Sequence, residues 1–177
     1  MGSEMCIRDS YRITDKVFEA WLALNEQPRL KKLSFERVYV SSLSFESLIR
    51  KSLFRLTKPI KIKDVIGREV QIGPYKNAKR IVTPTVKVDI LAETYDGRYN
   101  VYEVYFGGKA GIKKLNQLKR IIGELIKLGY NVDDSFLVSY FGFEEGVLEE
   151  IRKMRGKIYL LKKEQIRKIV KGVGLHI

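Results

Sequence analysis

The sequence predicts an α/β domain, a mixed sheet covered by helices. Three observations lead there. An Asp96-Gly97 pair sits between two runs rich in β-branched and aromatic residues, a strong hairpin signal. The segment 110–129 carries Ile112, Leu115, Leu118, Ile122, Leu125 and Leu128 at helical spacing. Beyond it, short apolar runs alternate with helical patterns, as in sheets whose strands are joined by crossing helices. A chain of 177 residues, 45% hydrophobic and 11% aromatic, is long enough for one domain with a sizeable core.

Taken in order, residues 1–10 are set apart. Met1 to Glu4 resemble a cloning scar, and Met5 to Ser10 resemble the translation of a sequencing adapter. The natural sequence is then expected to begin near Tyr11, with its gene cut off upstream. Residues 11–42 read as an N-terminal helical extension, with Val17, Phe18, Trp21, Leu22 and Leu24 in an amphipathic pattern from Asp15. The main domain is expected over 43–177, opening on a helix at 43–57 whose apolar residues are Leu43, Phe45, Leu48, Ile49, Leu53, Phe54 and Leu56. Lys58-Pro59 ends it.

Residues 65–73 and 80–93 read as strands separated by Gly73-Pro74 and Asn77, and 98–106 as the second arm of the Asp96-Gly97 hairpin. Gly107-Gly108 breaks that strand before the long helix. Then come a buried strand at 135–142, a helix in EEGVLEEIRKMR stopped by Gly156, a short strand at 157–161, and a closing helix in KEQIRKIVKG. The expected order is helix, three strands, helix, strand, helix, strand, helix.

Charge and rare residues narrow the function. The net charge is +13, from 34 basic against 21 acidic residues. Such an excess favours a polyanion partner, and DNA is the natural candidate. A lysine-rich thermophile surface would raise Lys and Glu together. No run is long and apolar enough for a membrane span and no secretory signal opens the chain, so a soluble, cytoplasmic protein with no membrane partner is expected. Cys6 and His176 are each alone of their kind, which excludes cysteine or histidine zinc sites and histidine triads. A metal would be held by oxygen ligands, which favours Mg²⁺ or Mn²⁺.

Two acids interrupt strands. Asp89 lies in VKVDIL and Glu103 in NVYEVYF, placed symmetrically about the Asp96-Gly97 turn, so they can fall side by side on adjacent strands. Paired carboxylates repel unless a cation lies between them. Such a pair suits phosphodiester hydrolysis, which needs charge neutralisation at phosphate and an activated water. The plainer alternative is a pair of edge-strand acids facing lysines such as Lys87.

The segment VDILAETYDGRYNVYEVYFGGKAGIKKLNQLKR resembles the core of the PD-(D/E)XK nuclease superfamily, and the likeness extends over about residues 43–165. It implies a restriction-endonuclease-like core, Mg²⁺-dependent cleavage of DNA, Asp89 and Glu103 as the metal-holding acids, Gln117 at a frequent polar helix position, and Glu46 as a helical acid reaching metal through water. Read plainly, Glu46 is a surface partner of Arg50, four residues on. YRITDKVFEAWLAL with FESLIRKSL is similar to the C-terminal part of archaeal P-loop ATPases with a winged helix, which implies a missing upstream ATPase module. Related nucleases often pair, so a homodimer is a further expectation.

The pattern asks for lysine at 105, where this chain has Tyr105. A phenol does not carry lysine's charge. Lys109 could serve instead, the site could be inactive and kept for binding or for docking an ATPase, or the lysine could have been altered. Lys109, Lys113, Lys114, Gln117 and Arg120 are the expected DNA contacts, from a helix rich in lysine and arginine. Tyr95, Tyr99, Tyr102 and Tyr105 are expected to pack on the sheet.

Overall fold

The computed structural model describes residues 35–154 and 156–173, with side chains from Phe45 onward. The amphipathic segment after Asp15, together with Cys6 and His176, lies outside the described residues.

Helix α1 runs Phe35–Arg55, starting well before the expected Leu43. Phe45, Ile49 and Leu53 recur every four residues and form its buried stripe, while Phe54 turns outward. A small hairpin follows, β1 (Ile60–Lys63) and β2 (Glu69–Ile72), paired antiparallel. The single strand expected at 65–73 is therefore corrected. Gly67 has a positive φ of 88°, and the Asp64 carboxylate accepts hydrogen bonds from the Ile66 and Arg68 amides and from the Arg68 guanidinium, folding 64–68 into a turn.

The main sheet has the order β3-β4-β5-β6-β7. Its strands are β3 (Asn77–Val82), β4 (Lys87–Glu93), β5 (Tyr99–Tyr105), β6 (Val132–Ser139) and β7 (Ile158–Leu161). The first three run antiparallel, and β5, β6 and β7 run parallel. The run expected as one strand at 80–93 is two, because the Thr83 hydroxyl accepts from the Val86 amide and donates to the Val86 carbonyl, closing a turn. Parallel neighbours need crossovers. These are α2 (Ile112–Lys127) between β5 and β6 and α3 (Glu145–Lys153) between β6 and β7, and α4 (Lys163–Gly172) follows β7.

The sheet is buried on both faces. One core joins α1, α4 and the β1–β2 hairpin to Ile90, Tyr102, Val104 and Phe136. The other joins α2 and α3 to Leu91, Val101, Leu137 and Leu160. The buried stripe of α2 is Leu115, Leu118, Ile121 and Leu125; of the expected stripe, Ile122 is half-buried and Ile121 takes its place, and Ile112 and Leu128 are exposed. Tyr102 stacks on Phe136 at 4.4 Å, but Tyr95 stands in solvent, against the expectation that it packs on the sheet. Along the outer flank of β7 the Val65 amide donates to the Leu160 carbonyl and Arg68 to that of Ile158. No described helix is long and apolar enough to cross a membrane.

Leu118 is fully buried at the centre of the α2 contact. Leu118→Ala is expected to cost about 2–5 kcal/mol of unfolding free energy, read from the urea midpoint at constant m-value.

Candidate metal and nucleic-acid site

The β4–β5 hairpin is closed at its tip by Gly97 (φ 81°) and by Thr94, whose hydroxyl donates to the Arg98 carbonyl and accepts from the Arg98 amide. From that tip the ladder runs back to its last pair, Ile90–Tyr102, and Asp89 and Glu103 are the residues next beyond it on the two strands. On the other side of β4, Leu91 pairs with Lys79 but Val88 with Ile81, so Asp89 and Ile90 together oppose Arg80 alone. One extra residue in a strand is a bulge, a device that re-aims a side chain. Here the Asp89 carboxylate accepts a hydrogen bond from the Val104 amide at 3.0 Å. A side chain thus takes a strand amide that a backbone carbonyl would otherwise receive.

Glu103 is engaged from α2. Its Oε1 accepts from Gln117 Nε2 at 2.6 Å, and Gln117 Oε1 accepts from Lys114 Nζ at 3.2 Å. The Lys114 ammonium lies 5.1 Å from the centroid of the Tyr105 ring. Tyr105 is held in turn by the chain break: a Cβ at Gly107 would come within 3.0–3.2 Å of the phenol ring and hydroxyl, so Gly107 leaves room for the ring.

Three acids share this region. Asp89, Glu103 and Glu46 are all buried, at 9%, 3% and 8% exposure, and none of the first two forms an ion pair among the described residues. Burial and then the neighbouring Asp89 push the Glu103 carboxyl up to about 8, against the opposing pull of Lys114 and Lys87. Glu46 is raised too, first by burial and then by Asp89, with Arg80, Arg50 and Lys87 acting the other way. The Arg50–Glu46 ion pair read from the sequence is present at 3.6 Å, so Glu46 both meets Arg50 and feels Asp89.

No group of three or more acidic, histidine or cysteine side chains is gathered tightly enough to enclose a metal among the described residues. The donor set at the hairpin is a pair. Asp89 Oδ2 and Glu103 Oε1 are occupied by hydrogen bonds, and the other oxygen of each carboxylate accepts none among the described residues. Hard oxygen donors with the remaining positions open suit a cation that keeps several waters.

No family model matches the sequence, and no curated protein matches it. Among solved structures, the chain is similar to a protein of unknown function, AF1548, at 16% identity and TM-score 0.45, covering 78% of this chain and 68% of that one. A second is EndoMS in complex with double-stranded DNA, at 17% identity and TM-score 0.43, covering 77% of this chain and 49% of that one. A third is the DNA modification-dependent restriction endonuclease AspBHI, at 14% identity and TM-score 0.40, covering 91% of this chain and 36% of that one. The chain thus spans about half of EndoMS and about a third of AspBHI.

The other expected site residues divide by exposure. Lys109 is exposed beyond the Gly107-Gly108 break and is not among the leading charges acting on Glu103, whereas Lys114 is. Lys113 and Arg120 are exposed on α2 and make no ion pair among the described residues, while Lys119 and Lys127 are paired with Glu150 and Glu124. Sequence reasoning placed Lys114 among the DNA contacts and did not give it a position beside Glu103. The three-residue spacing to Gln117 puts both side chains on one helix face, but that this face meets Glu103 follows only from how α2 packs on β5.

Proposed function

We propose that this domain binds DNA and hydrolyses phosphodiester bonds with a divalent cation held by Asp89 and Glu103, in the manner of the PD-(D/E)XK nucleases its sequence resembles. One observation carries the reading. Two buried carboxylates stand next beyond the last pair of the hairpin ladder, without ion-pair partners among the described residues, and their repulsion helps drive the Glu103 carboxyl to about 8. A buried acid pair stays costly even with Lys114 and Lys87 acting on it, and a divalent cation relieves that cost.

Each side chain then has a task. Asp89 is fixed by the Val104 amide and Glu103 by Gln117, so both present one oxygen from a defined orientation. The bound cation supplies charge neutralisation at phosphate and a more acidic water. Lys114, carried on α2 and resting on the Tyr105 ring, offers the positive charge that position 105 lacks. Lys113 and Arg120, exposed four residues before and three after Gln117, suit neighbouring phosphates, positioning the strand without reading its sequence.

Asp89→Asn keeps the side-chain size and an oxygen for the Val104 amide while removing the charge. It is expected to abolish Mg²⁺- or Mn²⁺-dependent cleavage of plasmid and oligonucleotide DNA, and to lose the Mn²⁺ binding that calorimetry is expected to detect in the native chain. Persistent cleavage in a clean Asp89→Asn preparation would sink the proposal. Salt-sensitive DNA binding without cation binding or cleavage would establish instead an inactive binding module, a reading favoured by the uncharged Tyr105.

A further inference from the structure

Of the exposed aromatic side chains among the described residues, Phe54 and Tyr95 touch no other described ring, but Phe141 is held by two. It is 44% exposed, lies edge-on to Tyr140 at 5.0 Å and meets Phe106 at 5.6 Å. Behind it, Tyr140 and Phe106 pack on each other and on Phe45 of α1. An exposed ring backed by three buried ones is fixed in place, and a partner stacking on it loses little to ordering.

Its position is also defined. Phe141 sits in a turn directly after β6, where Gly142 has a φ of 84° and donates its amide to the Ser139 carbonyl. That turn is joined to the loop following β5. The Ser139 hydroxyl donates to the Gly108 carbonyl at 3.2 Å, the Ala110 amide donates to the Gly142 carbonyl at 2.9 Å, and Ser139 itself pairs with Tyr105. Phe141 therefore belongs to the same carboxyl-end edge of the sheet as Tyr105 and Lys109, the edge at which open α/β sheets receive ligands. Lys163 stands behind Tyr140, its buried ammonium 5.5 Å from that ring's centroid. On the Phe141 side an exposed cation is Lys109, one residue before the Ala110 amide that bonds to Gly142.

We propose that Phe141 is a stacking platform for an unpaired nucleobase, carried by the rigid Phe106–Tyr140–Phe141 aromatic step at the carboxyl-end edge of β5 and β6. A flat apolar ring on the same edge as the exposed Lys109 complements a nucleotide, whose base is flat and whose phosphate is negative. The inference rests on DNA being the partner, but not on cleavage. It gives the domain a preference for single strands, flaps or unpaired bases over continuous duplex.

The test uses the full chain in EDTA, so that cation chemistry plays no part, with a fluorescein-labelled single strand of mixed sequence, the same strand carrying abasic positions, and a matched duplex. Phe141→Ala is expected to weaken binding to the intact single strand by about 5- to 30-fold, the usual effect of removing one stacking aromatic. Its binding to the abasic strand and the slope of affinity against salt should stay unchanged, since phosphate contacts are untouched. Phe141→Trp should bind like the native chain, whereas Phe141→Leu should resemble the alanine variant despite its apolar bulk. A 2-aminopurine in the strand should be quenched by the native chain and not by Phe141→Ala. Native-like single-strand affinity in Phe141→Ala, or full rescue by leucine, overturns the platform while leaving the proposed metal site standing. Absence of any DNA binding by the native chain at low salt overturns both.

Discussion

Glu103→Gln is expected to raise the melting temperature of the metal-free protein at pH 8–9 while removing its divalent-cation binding and its cleavage of DNA. The stability change follows from linkage. The Glu103 carboxyl, ordinarily near 4.5, stands at about 8 in the folded protein. Between those values the unfolded chain has released the proton and the folded chain still holds it. Stability therefore falls as pH rises from about 4.5 to about 8 and levels off above, a loss on the order of 3–5 kcal/mol. Glutamine has no proton to lose and keeps an acceptor for Gln117, so the variant should not follow that descent. Melting curves of both proteins from pH 4.5 to 9 in EDTA would show parallel traces if Glu103 is ordinary, and diverging ones if it is not. Added Mg²⁺ should raise the native chain's melting temperature most above pH 8, where the carboxylate is ionised, and leave Glu103→Gln unmoved.

Lys114→Ala is expected to lower the rate of DNA cleavage by about 10²–10³-fold, the scale for deleting one preorganised charge from a phosphoryl site. Lys109→Ala should lie within about 3-fold of the native rate, since an exposed lysine at the rim acts on association alone. Removing Lys114 also removes the strongest opposing charge from Glu103, so the steepest part of the stability–pH curve should move upward in pH. Lys114→Arg retains the charge over the Tyr105 ring and should recover much of the rate. A Lys114→Ala enzyme as fast as native, with Lys109→Ala slow, would return the role to the loop after β5.

Much of this was legible before any coordinates, and the reasons are local. The Asp96-Gly97 turn fixes the register of its hairpin, and that register carries the ladder as far as Ile90–Tyr102, next to positions 89 and 103. The α2 stripe was readable through Leu115, Leu118 and Leu125, which recur with the helix period. The ends of α2 were not, because whether Ile112 or Leu128 is covered depends on neighbours outside the helix. The 80–93 run was misread because the turn at Thr83–Val86 is made by a threonine hydroxyl, without a glycine to mark it. The bulge at Asp89 left no signal either: an extra residue in β4 shows only against its partner β3. Lys114 escaped for a similar cause. Its place beside Glu103 depends on how α2 packs across β5, a tertiary fact that spacing within the helix does not contain.

The two borders of the sheet differ in a way that constrains assembly. At β7, the bonds from Val65 and Arg68 occupy outward-facing carbonyls, so that border is closed to another strand. Among the described residues β3 pairs with β4 alone, and it carries exposed Lys79 and Arg80. A second copy docking edge to edge there would set four cations against one another, which guards the molecule from growing into ribbons. The same repulsion vanishes on a polyanion, so nucleic acid can approach a border that this chain's own twin cannot.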